Sequence, residues 1–258
     1  MGMSVHPWGT GGVPTLLLHG FTRDARMWSR FRAVWSPYLR VVAPDLPGHG
    51  RSAAPGPAVT FDDVVDAVAA GLQRAHVVVG YSMGGRVALR LAARHPECVA
   101  GLVLDGVSPG ITEDADRARR LADDERWMAL LESGGVQAFT EAWVAQPAFG
   151  GFVDPEAAEQ RSTQDAHALA AALRCLGTGR MPPCWDALQE VRCPVLLLNG
   201  ASDTRAAERN VRMERLFPRA QHIALPGFHA IHASAAARWS DVVLTFTRQH
   251  GIATEATP

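Results

Sequence analysis

The chain has 258 residues, 47% hydrophobic and 20% charged, and its 25 basic and 26 acidic residues leave a formal charge of −1. At roughly 150 residues per domain, that describes one large domain or one domain with an inserted lobe. It is too apolar for disorder and lacks the basic excess of a nucleic-acid surface. Every basic residue is Arg and none is Lys, which excludes lysine Schiff-base chemistry and a phosphate-loop lysine. Every fixed positive contact must therefore be a guanidinium, the group suited to carboxylates.

In chain order, short apolar runs alternate with longer amphipathic stretches. The runs Val13–Leu18, Arg40–Ala43, His76–Gly80, Val99–Asp105, Pro194–Asn199 and Gln221–Leu225 read as strands buried on both faces. Between them, Phe61–Ala75, Met83–His95, Arg205–Phe217 and about Ala233–His250 carry helical periodicity. Strands alternating with helices predict an α/β fold with a mostly parallel sheet. The alternation stops between Ser108 and Val191, where helices are expected at Glu113–Leu131, Val136–Val144 and Pro155–Leu176. Residues 1–107 and 192–258 then form the core, and residues 108–191 an inserted helical lid. The last eight residues, GIATEATP, read as frayed.

Cys98, Cys175, Cys184 and Cys193 show no metal or redox spacing, and neither a secretory leader nor a membrane-length apolar run is visible. A cytoplasmic protein, monomeric or a small homo-oligomer, without membrane or nucleic-acid partners is the expectation. Nor is there a metal-ligand cluster or a dinucleotide fingerprint, so chemistry without metal or organic cofactor is expected.

Gly80-Tyr81-Ser82-Met83-Gly84 is a G-x-S-x-G pentapeptide between a predicted strand and a predicted helix. That is the context of a nucleophile elbow, in which a tight turn exposes the serine at a helix N-terminus. His19-Gly20-Phe21 follows the first sheet run and offers the Phe21 N–H as a second oxyanion donor beside that of Met83. A serine needs a base, and the base an orienter. Asp203 follows the run PVLLL and His229 follows the last strand, with Asp105 as rival acid and His232 as alternative base. Arg86, one helical turn beyond Ser82, falls on the same helix face. It either forms a core salt bridge or, with Arg119 and Arg120 in the lid, meets an anionic small-molecule substrate.

This constellation resembles the α/β-hydrolase fold family along essentially the whole chain, including the loop Asp45-Leu46-Pro47-Gly48-His49-Gly50-Arg51-Ser52. Around the elbow and lid it is similar to the menaquinone-pathway synthases that make 2-succinyl-6-hydroxy-2,4-cyclohexadiene-1-carboxylate. The similarity rests on Gly80 to Ala88, on Pro109-Gly110 with Arg117 to Arg120 and Arg126-Trp127, and on Trp143 to Phe149. It implies that Arg86 and Arg120 contact substrate carboxylates and that Tyr81 and Trp143 line the pocket. It also implies a lyase in which the triad abstracts a proton and pyruvate is lost. Hydrolysis of an ester or thioester through an acyl-serine uses the same triad, and a non-catalytic ligand-binding protein of this fold is the alternative from another class.

Overall fold

The computed structural model describes residues 2–251, so the frayed tail lies, apart from Gly251, outside the described residues. The strands are β1 Val5–Trp8, β2 Val13–Leu18, β3 Leu39–Pro44, β4 His76–Tyr81, β5 Val99–Asp105, β6 Val195–Gly200 and β7 Ala220–Leu225. They form one sheet in the order β1-β3-β2-β4-β5-β6-β7. Neighbours are parallel except β1, which runs antiparallel to β3. Strands β2, β4 and β6 are buried along their whole length, as continuous apolar runs covered on both faces must be. The strand β1 has no counterpart in the sequence reading. Its four residues include a proline and alternate between exposed and half-buried, which suits a sheet edge.

The helices are α1 Arg32–Trp35, α2 Phe61–Ala70, α3 Met83–Arg94, α4 Asp114–Val144, α5 Pro155–Ser162, α6 Ala166–Leu176, α7 Thr204–Leu216, α8 Ile231–Ser234 and α9 Ala236–His250. A capping box of Thr60 and Asp63 starts α2, and Gly71 ends it before the expected Ala75. One core layer sets α2 and α3 against the sheet; the other stacks Trp28 and Trp35 on Trp239 at ring separations of 6.0 and 5.8 Å.

Between β5 and β6 the described elements are all helical. The two helices expected in the first part of this segment meet end to end in α4, at Gly135 (φ 70°, ψ −176°). That conformation is strained for any L side chain and suits glycine. The helix expected over Pro155–Leu176 is two helices instead. The Asp165 carboxylate accepts the Ala168 N–H at 2.8 Å and starts α6 afresh after α5 has ended at Ser162.

Candidate active site

Parallel strands discharge their connecting loops at one sheet edge, so residues far apart in sequence converge beyond the strand C-termini. Ser82 stands where β4 turns into α3, with φ 51° and ψ −109°. This left-handed conformation is strained for a serine, and the neighbouring glycines make it possible. A Cβ on Gly80 would lie 2.5 Å from the Gly85 Cα, and one on Gly84 would run into the Leu18 carbonyl. The Ser82 N–H donates to the Asp105 carbonyl at 2.8 Å, tying the turn to β5.

The Ser82 Oγ lies 3.0 Å from His229 Nε2, and His229 Nδ1 lies 3.3 Å from Asp203 Oδ2. In the tautomer that uses both contacts, Nδ1–H donates to Asp203 and Nε2 accepts the Ser82 hydroxyl proton. Burial alone would raise the Asp203 carboxyl. The His229 contact and the Ala206 N–H outweigh it and hold Asp203 below the usual carboxylate range. The main-chain N–H of His229 donates to the Ala148 carbonyl at 3.0 Å. Gly106 leaves room for the imidazole, since a Cβ there would sit 2.6 Å from His229 Cε1.

Asp105, the rival acid, faces elsewhere. Its Oδ2 accepts the Trp239 indole N–H at 3.0 Å and lies 3.9 Å from His232 Nδ1. Complete burial pushes its carboxyl well above the usual range. His232 is buried under the Tyr81 ring at 4.2 Å, and neither of its ring nitrogens has a hydrogen-bond partner among the described residues. Neither residue forms the contact with Ser82 or His229 that a triad member needs.

His19 shapes the turn that carries Phe21. Its Nδ1–H donates to the Gly20 carbonyl at 2.9 Å, and its Nε2 accepts the Leu46 N–H at 2.8 Å. Burial lowers its basicity, so the ring stays neutral and can accept. The Phe21 N–H donates to no acceptor among the described residues, and Met83, as the first residue of α3, has no carbonyl of its own helix to bind.

A cavity of about 450 Å³ opens over Ser82 and His229 and is lined by Phe21, Tyr81, Met83, Arg86, Arg120 and Trp143 among others. Ser82, His229, Phe21, Tyr81, Met83, Arg86, Arg120 and Trp143 therefore border one space, with Asp203 behind His229. Trp143 is held edge-on to Phe21 at 5.4 Å and stacked on Phe139 at 5.3 Å. Arg86 is 8% exposed, makes no ion pair among the described residues, and its Nη1 has no partner. Burial, and next the Arg120 charge, push its guanidinium down to about 9, against the pull of Asp124. Arg120 pairs through Nε with Asp124 Oδ1 at 2.9 Å. Arg119, read with Arg120 as a lid contact, instead points to solvent, 77% exposed and paired with Asp116. At i−1 it faces away from its neighbour's side of the helix.

The sequence reading missed three further arginines of this wall, Arg23, Arg161 and Arg209. The Arg23 side chain is 4% exposed and pairs with Asp154 at 3.4 Å. Arg209 Nε donates to the Val107 carbonyl at 3.1 Å. Arg23 stands two residues after Phe21, which was a signal; Arg161 and Arg209 reach the cavity only through tertiary packing. Among the described residues no group of three or more His, Cys, Asp or Glu could hold a metal ion, and no helix is long and apolar enough to cross a membrane.

A serine at a strand-to-helix elbow, with its histidine and aspartate on later loops of the same sheet, defines a class, and the chain belongs to the alpha/beta hydrolase family, whose model matches residues 15–242. Within that family it is 32% identical over 208 residues to the 2-succinyl-6-hydroxy-2,4-cyclohexadiene-1-carboxylate synthase of Salmonella paratyphi C, covering 78% of this chain and 82% of that protein. The structure of MenH from S. aureus superposes with a TM-score of 0.90 at 28% identity, covering 96% of this chain and 98% of that one. A thermophilic esterase from Thermogutta terrifontis, solved with malate bound, gives a TM-score of 0.81 at 27% identity, covering 96% and 94%.

Proposed function

We propose that the protein is a lyase of the 2-succinyl-6-hydroxy-2,4-cyclohexadiene-1-carboxylate synthase type, eliminating pyruvate from a cyclohexene precursor in menaquinone biosynthesis. Ser82, His229 and Asp203 form its triad, and the Phe21 and Met83 N–H groups its oxyanion hole. With Asp203 holding the imidazole, His229 Nε2 draws the hydroxyl proton and makes the Ser82 oxygen basic. That oxygen takes a proton from the carbon next to a substrate carbonyl. The electron pair moves onto the carbonyl oxygen, where the two N–H groups meet the developing enolate. The enolate then collapses, the carbon–oxygen bond to the leaving group breaks, and the departing enolpyruvate takes up the proton to become pyruvate. The helical segment 108–191 acts as the lid over this space.

One observation carries the choice among reactions: Arg86, buried beside Ser82 without an ionic partner among the described residues, stands next to Arg120. An unpaired guanidinium in a dry site is costly, and a substrate carboxylate relieves that cost with charge-assisted hydrogen bonds. A neutral ester has no use for either residue. The relatives' names agree with this reading, whereas the likeness to the malate-bound esterase favours ester hydrolysis through an acyl-Ser82 as the second reading. The test is a side-by-side assay of pyruvate release from the synthase substrate and of short-chain p-nitrophenyl ester cleavage. Efficient pyruvate release with slow ester cleavage is expected; the reverse assigns the protein to the esterases.

A further inference from the structure

Thr22, next to Phe21 in the loop after β2, has φ +68° and is 1% exposed. A β-branched residue in the left-handed region is a true outlier and persists only where its surroundings hold it. What holds it comes from α5. Arg161 Nε donates to Thr22 Oγ1 at 3.1 Å. On either side, Arg23 Nε donates to Gln160 Oε1 at 2.9 Å, and Gln164 Nε2, just past the end of α5, donates to Asp24 Oδ2 at 2.9 Å. Three consecutive residues of the loop are thus each gripped by a side chain of one short stretch, more than a hundred residues away in sequence. Thr22, Gln160 and Gln164 stand outside the cavity lining, whereas Arg23 and Arg161 border it, so these contacts tie the loop to α5 directly behind the wall of the site.

We propose that α5 positions the oxyanion hole: the Arg161–Thr22 hydrogen bond, flanked by Gln160–Arg23 and Gln164–Asp24, keeps Thr22 left-handed and thereby aims the Phe21 N–H at the reacting oxygen. This rests on the role given to Phe21 above. Thr22, Gln160 and Gln164 are positioning residues, and α5 couples the lid to the chemical step. Oxyanion donors act only when aligned with the place where charge develops, so loosening the loop lowers the rate of reaction and leaves ground-state binding in place.

Thr22→Val keeps the branched shape and removes the acceptor, Thr22→Ser restores the hydroxyl, and Gln160→Leu breaks the grip from the α5 side. The readouts are the rate at which a fluorophosphonate labels Ser82, which needs the hole whatever the natural substrate, and the separate kcat and KM of turnover. Thr22→Val is expected to slow labelling and lower kcat by roughly 10- to 100-fold, with KM within about twofold. Thr22→Ser should return to within about threefold of wild type, and Gln160→Leu should move the same way as Thr22→Val, less far. Wild-type labelling in Thr22→Val, or a raised KM at unchanged kcat, overturns the proposal. If Thr22→Val does not fold, Gln160→Leu decides by the same criteria. Labelling that survives in Ser82→Ala, or is absent from the wild type, shows instead that the triad and hole themselves are misassigned, and the proposal falls with them.

Discussion

Strands β2, β4 and β6 are buried along their whole length, whereas in the 31-residue α4 only Asp124, Met128, Leu131 and Phe139 are buried. The floor of the cavity is built on the strand ends, and its roof includes one long helix with few buried side chains. Close-packed strand ends fix side chains to a fraction of an ångström, as a three-residue relay requires. A helical roof tolerates changes of size and charge, which suits the recognition of one substrate among many. Floor residues should matter for every substrate and roof residues only for some.

The largest effect should come from the floor. Ser82→Ala removes the hydroxyl and leaves the elbow glycines alone, so turnover is expected to fall by about 10³-fold or more with the melting temperature unchanged. Thermal unfolding beside a kinetic assay checks this, and residual turnover near wild type would contradict the triad.

A middle-sized effect should come from the arginine end of the cavity. Losing a charge-assisted contact in a dry site costs about 1.5–3 kcal/mol, or roughly 10- to 150-fold in kcat/KM. Arg86→Met and Arg120→Gln should each lose that much in pyruvate release and almost nothing in cleavage of an uncharged ester. Because Arg86 is buried without an ionic partner among the described residues, Arg86→Met should also leave the unliganded protein as stable as before or more so. A fall of several degrees in its melting temperature would make Arg86 a scaffold residue.

The smallest effect concerns stability alone. The Asp105 carboxyl is held above its usual 3.8 by burial, so the folded state keeps a proton that the unfolded chain gives up. Stability is then lost as pH rises from about the unfolded value toward the folded one, at about 1.4 kcal/mol per pH unit. Asp105→Asn can still accept the Trp239 N–H and lacks this loss. Its advantage over wild type should be smallest at acid pH, grow as pH rises and level off only once pH has passed the folded-state value. Denaturant unfolding at several pH values measures it, and a constant difference would mean that Asp105 is ionised in the fold.

The floor was legible in the sequence and the roof only in part. G-x-S-x-G after HVVV, HG-x after TLLL, and Asp203 and His229 after later runs each sit at the end of a period-defined strand, so pattern and position carry the same information. The edge strand β1 escaped because four residues with a proline show no buried run. In the roof, periodicity located the helices but not their facing: Arg119 and Arg120 are neighbours in sequence, yet one is bound to solvent-exposed Asp116 and the other borders the cavity. The grip of Gln160, Arg161 and Gln164 on the loop after β2 could not be read at all. It depends on how α5 docks, which local sequence does not specify.

One ratio tests the recognition of an anionic substrate by Arg86 most directly. Pyruvate release from the synthase substrate and cleavage of a short p-nitrophenyl ester should be measured on the wild type and on Arg86→Met in the same preparation. The ratio of the two kcat/KM values should drop at least about tenfold in the variant, through pyruvate release alone. An unchanged ratio, with both activities falling together or neither moving, would contradict that recognition.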